Sequence, residues 1–187
     1  MQSNKSSVKA ILDKCTITYV EDVYDYTADF SGIQGMNNWY YNSGSNTEYG
    51  TNNTSNYNTS VNGWASSTGG ATWFTKDRFT LNSTNVAGIM FEAPKSGTIR
   101  IEKKFAVSST NTSAVMKYSI YKTATDNGTL NENTIVGPVY PTGNFLNVGM
   151  GNGSSTYTTY SKGDTADIDV TVHVEAGEQI LFSMQKT

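Results

Sequence analysis

Along residues 167–174 apolar and polar side chains alternate without a break. Ile168, Val170, Val172 and Val174 fall on one side of an extended chain, with Asp167, Asp169, Thr171 and His173 on the other. A period of two is the signature of a β-strand with one face in a core. Several other stretches repeat it. In 98–102, Ile99 and Ile101 share a face, and residues 105–107 extend the strand. In 114–122, Ala114, Met116, Tyr118 and Ile120 oppose Lys117, Ser119 and Tyr121; in 179–184, Ile180, Phe182 and Met184 point one way. Residues 15–20 alternate and are rich in β-branched types, while 86–91 are apolar enough for a central strand. Turn signals with Pro, Gly and Asn separate these runs at 92–97, 126–129 and 175–178. Pro138 demotes 135–140 to an edge. Residues 8–12 fit a strand or a short helical turn equally well, so 1–13 reads as an N-terminal tail or edge. With little or no helix and many short strands, the pattern predicts an all-β fold, an antiparallel β-sandwich.

At 187 residues the chain reads as one such domain, 1–187, large enough to bury a core without a staple. The single cysteine, Cys15, sits inside an alternating run and reads as a small buried hydrophobe. Charged residues make up 16% of the chain, the net charge is −3 and the pI about 5.1. That balance gives no electrostatic footprint for nucleic acid or an anionic membrane. No segment has the uninterrupted apolar run of a secretory leader or a bilayer span, so no membrane insertion is expected. The abundance of Asn, Ser, Thr, Gly and Tyr points to a secreted or cell-surface setting and to a neutral partner.

The most unusual stretch is 29–73. It holds all three tryptophans, Trp39, Trp64 and Trp73, together with Tyr40, Tyr41, Tyr49 and Tyr57, and residues 43–60 between them read as long polar loops. A second Gly/Asn/Ser-rich stretch, 144–160, carries Tyr157 and Tyr160. Aromatic rings among amides and hydroxyls suit sugar recognition: flat apolar faces to stack on, ringed by neutral hydrogen-bonding groups. The candidate ligand contacts are Trp64, Trp73, Tyr49, Tyr57, Tyr157 and Tyr160. Each ring stacked on a base contributes ~1–3 kcal/mol. Sugar faces of similar worth, two or three at a time, would give micromolar to millimolar affinity, about −8 to −4 kcal/mol.

Three segments resemble parts of bacterial jelly-roll modules attached to secreted carbohydrate-active enzymes. Gln34-Gly35-Met36-Asn37-Asn38-Trp39-Tyr40-Tyr41 resembles their Gln-Gly-x-Asn-x-Trp-x-Tyr opening. Residues 90–101, Met-Phe-Glu-Ala-Pro-Lys-Ser-Gly-Thr-Ile-Arg-Ile, resemble a strand-turn-strand with Ala-Pro and Gly-Thr at its centre. Residues 170–182 resemble their closing hairpin, Val-x-Val-x-x-Gly-Asp-x-Ile-x-Phe. Phe91 stands where a tryptophan is commoner, and Glu178 replaces the usual aspartate. The resemblance runs from about Asp29 to the end of the chain. It implies a jelly-roll sandwich of the carbohydrate-binding-module kind, tethered to other domains of a longer protein, and makes Trp39 a scaffold residue.

Acidic residues offer a calcium reading. Asp22, Asp25 and Asp29 fall close together, as do Asp164, Asp167 and Asp169, and modules of this resemblance often carry a structural calcium. Neither group has the regular spacing of a calcium loop. The lone histidine, His173, lies on the polar face of a strand without a nucleophile motif, and zinc would need more ligands than the chain has. The expectation is therefore a non-enzymatic module that binds a neutral polysaccharide or glycan. The alternative is a structural or adhesive β-sandwich domain that meets another protein.

Overall fold

The computed structural model describes residues 7–19, 22–43, 56–65, 72–81, 86–123, 145–147 and 158–187. These form an all-β sandwich of two antiparallel sheets. The first contains β1 (Val8–Thr18), β2 (Val23–Asp25), β4 (Asn56–Asn58), β5 (Gly63–Ala65), β6 (Thr72–Thr75), β7 (Arg78–Leu81), β9 (Gly97–Ser109) and β13 (Thr165–Val174). Its order is β13-β9-β1-β7-β6-β5-β4, with β2 also on β1. The second contains β3 (Trp39–Ser43), β8 (Val86–Glu92), β10 (Met116–Thr123), β11 (Phe145–Asn147), β12 (Thr158–Tyr160) and β14 (Gln179–Lys186). Its order is β11-β10-β14-β8-β3, with β12 also on β10. The helix α1 (Tyr26–Asp29) is a single turn. No helix among the described residues is long and apolar enough to cross a membrane.

The alternating runs become the long strands, and their apolar faces meet between the sheets. Ile99, Ile101, Phe105 and Val107 from β9 pack in one continuous core with Ile168 and Val174 from β13, Met116, Tyr118 and Ile120 from β10, and Ile180, Phe182 and Met184 from β14. Such side chains each contribute roughly 1.5–3 kcal/mol when fully buried.

The N-terminal expectation needs correction. From Val8 onward the chain is the inner strand β1, hydrogen-bonded to β9 on one side and to β7 and β2 on the other. A register shift between Leu12 and Lys14 leaves Asp13 unpaired against β9. Before it Val8, Ala10 and Leu12 face the core; after it Cys15 and Ile17 do. One inserted residue flips the parity of everything that follows. The two halves of β1 are each in phase with the core, but no single period joins them, and within 8–12 an exposed Ile11 beside a buried Leu12 blurs the alternation. The polar stretch 43–60 also holds one short strand, β4, paired with β5.

Two of the corners where the chain changes sheet, β8 to β9 and β13 to β14, fall in segments 90–101 and 170–182. The turn after β8 and the turn after β13 lie side by side. The Ala93 N–H donates to the Glu178 carbonyl and the Gly177 N–H to the Ala93 carbonyl, both at 2.8 Å. The Ser96 hydroxyl donates to Glu175 at 2.6 Å and accepts from the Ala176 N–H at 3.0 Å. Glu178 is buried, accepts from the Glu175 N–H at 2.8 Å and pairs with Lys122 at 3.1 Å.

Candidate functional site

The third block, 34–41, is a latch on the edge of the second sheet. The Gln34 side-chain amide donates to the Tyr41 carbonyl at 2.7 Å and accepts from the Tyr41 N–H at 2.9 Å, so it pairs with β3 as another strand would. Gly35 reaches this position with φ 77°, in the left-handed region that favours glycine. The latch turns Trp39 and Tyr41 inward. Trp39 is fully buried and touches Tyr26, Phe91 and Phe182 with ring centroids 5.5, 5.1 and 6.2 Å away. Its scaffold role is thus visible in its packing.

The six candidate contact residues separate. Tyr49 and Tyr157 lie outside the described residues. Trp64 is in the core: its ring stacks on Tyr41 at 5.1 Å with the planes 10° apart, and its indole N–H donates to the Ser31 carbonyl at 2.7 Å. With one face covered, Tyr57 against its edge and its polar atom engaged, Trp64 has no open platform for a ligand. The tight fit starts one residue earlier, where a Cβ on Gly63 would lie 2.7 Å from the Phe74 carbonyl oxygen. Desolvation by burial pushes the Tyr41 hydroxyl pKa up to about 12, against the lowering effect of the Ser31 N–H that donates to it.

Tyr57 is half-buried; its ring lies against Gly32 and its hydroxyl donates to Asn62. It thereby ties the 31–35 loop to the β4–β5 turn, and these two segments carry exposed Ile33, Met36 and Val61. Tyr160 packs edge-on against Phe105 and Tyr118, at 5.1 and 6.5 Å. Trp73 is placed differently. On β6 it neighbours Phe74, whose side chain is fully buried, and the pleat sends Trp73 to the outer face, where it is partly exposed. Its cross-strand partners are Ala65 and Thr80. Both are smaller than the indole. Beyond Thr80 in register comes Lys9, and exposed Ile11 lies opposite exposed Arg78.

The acidic residues are engaged separately. Asp25 caps α1, accepting from the Thr27 and Ala28 N–H groups at 2.8 and 3.2 Å. Asp22 pairs with Lys95. Asp29 is half-buried, and desolvation raises its carboxyl pKa. The Trp39 indole nearby acts in the opposite direction but falls short of hydrogen-bond geometry, so its N–H has no partner among the described residues. Asp169 makes a two-pronged contact with Arg100 at 2.8 and 2.7 Å, and Asp167 pairs with Lys104 at 2.8 Å. Arg100 holds the Asp169 carboxyl below its usual range. Among the described residues no group of three or more His, Cys, Asp or Glu converges as a metal site. His173 is exposed and lies 3.2 Å from Glu175.

One chemically notable residue was not singled out from the sequence. Lys103 has no exposed surface, and its amine has no hydrogen-bond partner among the described residues. Three rings surround it: Phe182 at 4.6 Å, Phe79 at 4.8 Å and Tyr118 at 5.0 Å from the nitrogen. Its signal was available, since strict alternation puts Lys103 on the same face as Ile101 and Phe105.

Comparison with protein-family models, with curated proteins and with solved structures finds no match for this chain.

Proposed function

We propose that the chain is a non-catalytic glycan-binding module with a jelly-roll-type sandwich, acting outside the cell as part of a longer protein. The observation that carries this reading is the placement of Trp73: a large ring on the outer face of the first sheet, flanked in register by Ala65 and Thr80. Stacking on a pyranose uses an aromatic ring at the surface, and Trp73 is partly exposed there. Arg78, exposed nearby on β7, supplies hydrogen-bond donors for sugar hydroxyls. The resemblance of the latch and the two corners to carbohydrate-active modules agrees with it. A single tryptophan platform with a few hydrogen bonds gives weak binding, about −4 to −6 kcal/mol, in the millimolar range and somewhat tighter. Such weak sites work by tethering, which keeps an attached domain near its substrate.

Affinity electrophoresis of the isolated chain in gels containing neutral polysaccharides tests the proposal. Retardation by at least one of a panel of glucans, mannans, xylans and galactans is the expected result. A second reading, an adhesive domain that meets another protein, is favoured by exposed Ile33, Met36 and Val61 around Tyr57. Mobility unchanged in every gel, together with self-association lost on Ile33→Ser, would favour that reading. Release of reducing sugar by the chain alone would contradict the non-catalytic assignment.

A further inference from the structure

Lysines that are fully buried are normally paired with a carboxylate. Lys103 is not: among the described residues no ion pair or hydrogen bond reaches its amine, and the electrostatic partner that bears on it is the Cys15 thiol. Cys15 and Lys103 face each other directly in the antiparallel register of β1 and β9. Both point into the core and both are fully enclosed. Directly opposed residues have Cβ atoms about 4.5–5.5 Å apart, within the reach of a lysine side chain.

We propose that Cys15 and Lys103 are the two ends of an oxidative cross-link, a sulfur–nitrogen bond that fastens β1 to β9 through the core. The oxidant is a peroxide. Hydrogen peroxide converts the Cys15 thiol to a sulfenic acid with loss of one water, its O–O bond taking the two electrons that sulfur gives up. The neutral Lys103 amine then attacks the sulfenyl sulfur; the S–O bond breaks, an amine proton leaves with the hydroxide as a second water, and an S–NH bond remains. The sum is one thiol, one amine and one peroxide giving one sulfenamide and two waters. Sulfenic acids condense with nitrogen in this way when a nucleophile is held beside them.

The surroundings favour the second step. Burial lowers the Lys103 pKa to about 8, so a substantial share of the amine is unprotonated and nucleophilic in mildly alkaline solution. The same burial raises the Cys15 thiol to about 11, which slows the first step and limits it to small neutral oxidants. Peroxide is near water in size, and the break in sheet regularity at Leu12/Lys14 lies within a few residues of Cys15. The cross-link also removes a cost of the reduced core, an unpartnered amine among three rings.

Peptide mass spectrometry of the native chain, exposed to hydrogen peroxide, then unfolded, alkylated and digested, tests this. The expected product joins the Cys15 and Lys103 peptides with a mass two hydrogens below their sum, and dithiothreitol reverses it. Lys103→Met and Cys15→Ser each abolish the linked product, and because the primary readout is on the unsubstituted chain, the folding of either variant does not decide the outcome. Full alkylation of Cys15 after peroxide would overturn the proposal. So would a sulfinic acid or an intermolecular disulfide as the sole product.

Discussion

Trp64 and Trp73 sit on adjacent strands of the same sheet, one register step apart. Trp64 is opposite Phe74, and Trp73 is opposite Ala65. That single step decides everything about them. Trp64 points inward, stacks on Tyr41 and gives its N–H to a backbone carbonyl; Trp73 points outward between two small residues. Their sequence surroundings, Gly63-Trp64-Ala65 and Thr72-Trp73-Phe74, are equally poor in pattern. What a tryptophan does in a sandwich is set by the parity of its strand, because the side-chain period of two allows only the core side or the solvent side.

Replacing Trp64 by alanine should break the inner side of this comparison most severely. It deletes a buried ring, leaves the Ser31 carbonyl without its donor and strips the stacked face of Tyr41. A loss of about 3–5 kcal/mol is expected in chemical denaturation. A loss below about 1 kcal/mol would show that Trp64 is not core.

Lys103 provides the next test, through pH. Its folded pKa, about 8, lies below the ordinary 10.5 of an unfolded lysine. Between those values the unfolded chain binds the proton and the folded chain does not, so stability rises with pH. The full difference is worth about 3 kcal/mol. Other buried groups of the core act in the opposite direction. Burial raises Cys15 from 9.0 to about 11 and holds Tyr118 and Tyr26 well above their usual value. Once the unfolded chain starts to lose those protons, stability falls. The rise is therefore cleanest from about pH 8 to 9, with a slope approaching 1.4 kcal/mol per pH unit. Under reducing conditions Lys103→Met should remove the rise and be more stable than the parent at pH 7, by about 1–3 kcal/mol. An unchanged slope would mean that Lys103 is solvated.

Gln34→Ala should cost less, about 1–2 kcal/mol, since it removes two hydrogen bonds at a sheet edge where water can partly replace them. The same substitution with no effect on the thermal midpoint would remove the latch from the account.

The long strands, the sandwich and the buried state of Cys15 could be read from alternation, because each of those strands shows at least two full periods. The scaffold role of Trp39 came through the resemblance of its segment. The inward turn of Trp64 could not be read: β5 is three residues long and β4 another three, too short for a period to show. The one-residue bulge at Asp13 hid the inner position of β1 for the opposite reason, by splitting a good pattern into two out-of-phase halves. Lys103 was legible in position but not in consequence, since alternation alone cannot say that three rings close over a charge.

Trp73 remains the central claim, and its substitution has the smallest expected effect on stability. Partly exposed and flanked by Ala65 and Thr80, it should cost at most about 1 kcal/mol when replaced by alanine. The direct measurement is affinity electrophoresis of the parent chain and Trp73→Ala, side by side, in the polysaccharide gel that retards the parent most. The glycan-platform account predicts that Trp73→Ala migrates as in a sugar-free gel while its circular dichroism and thermal midpoint match the parent. Equal retardation of the two folded proteins would contradict it.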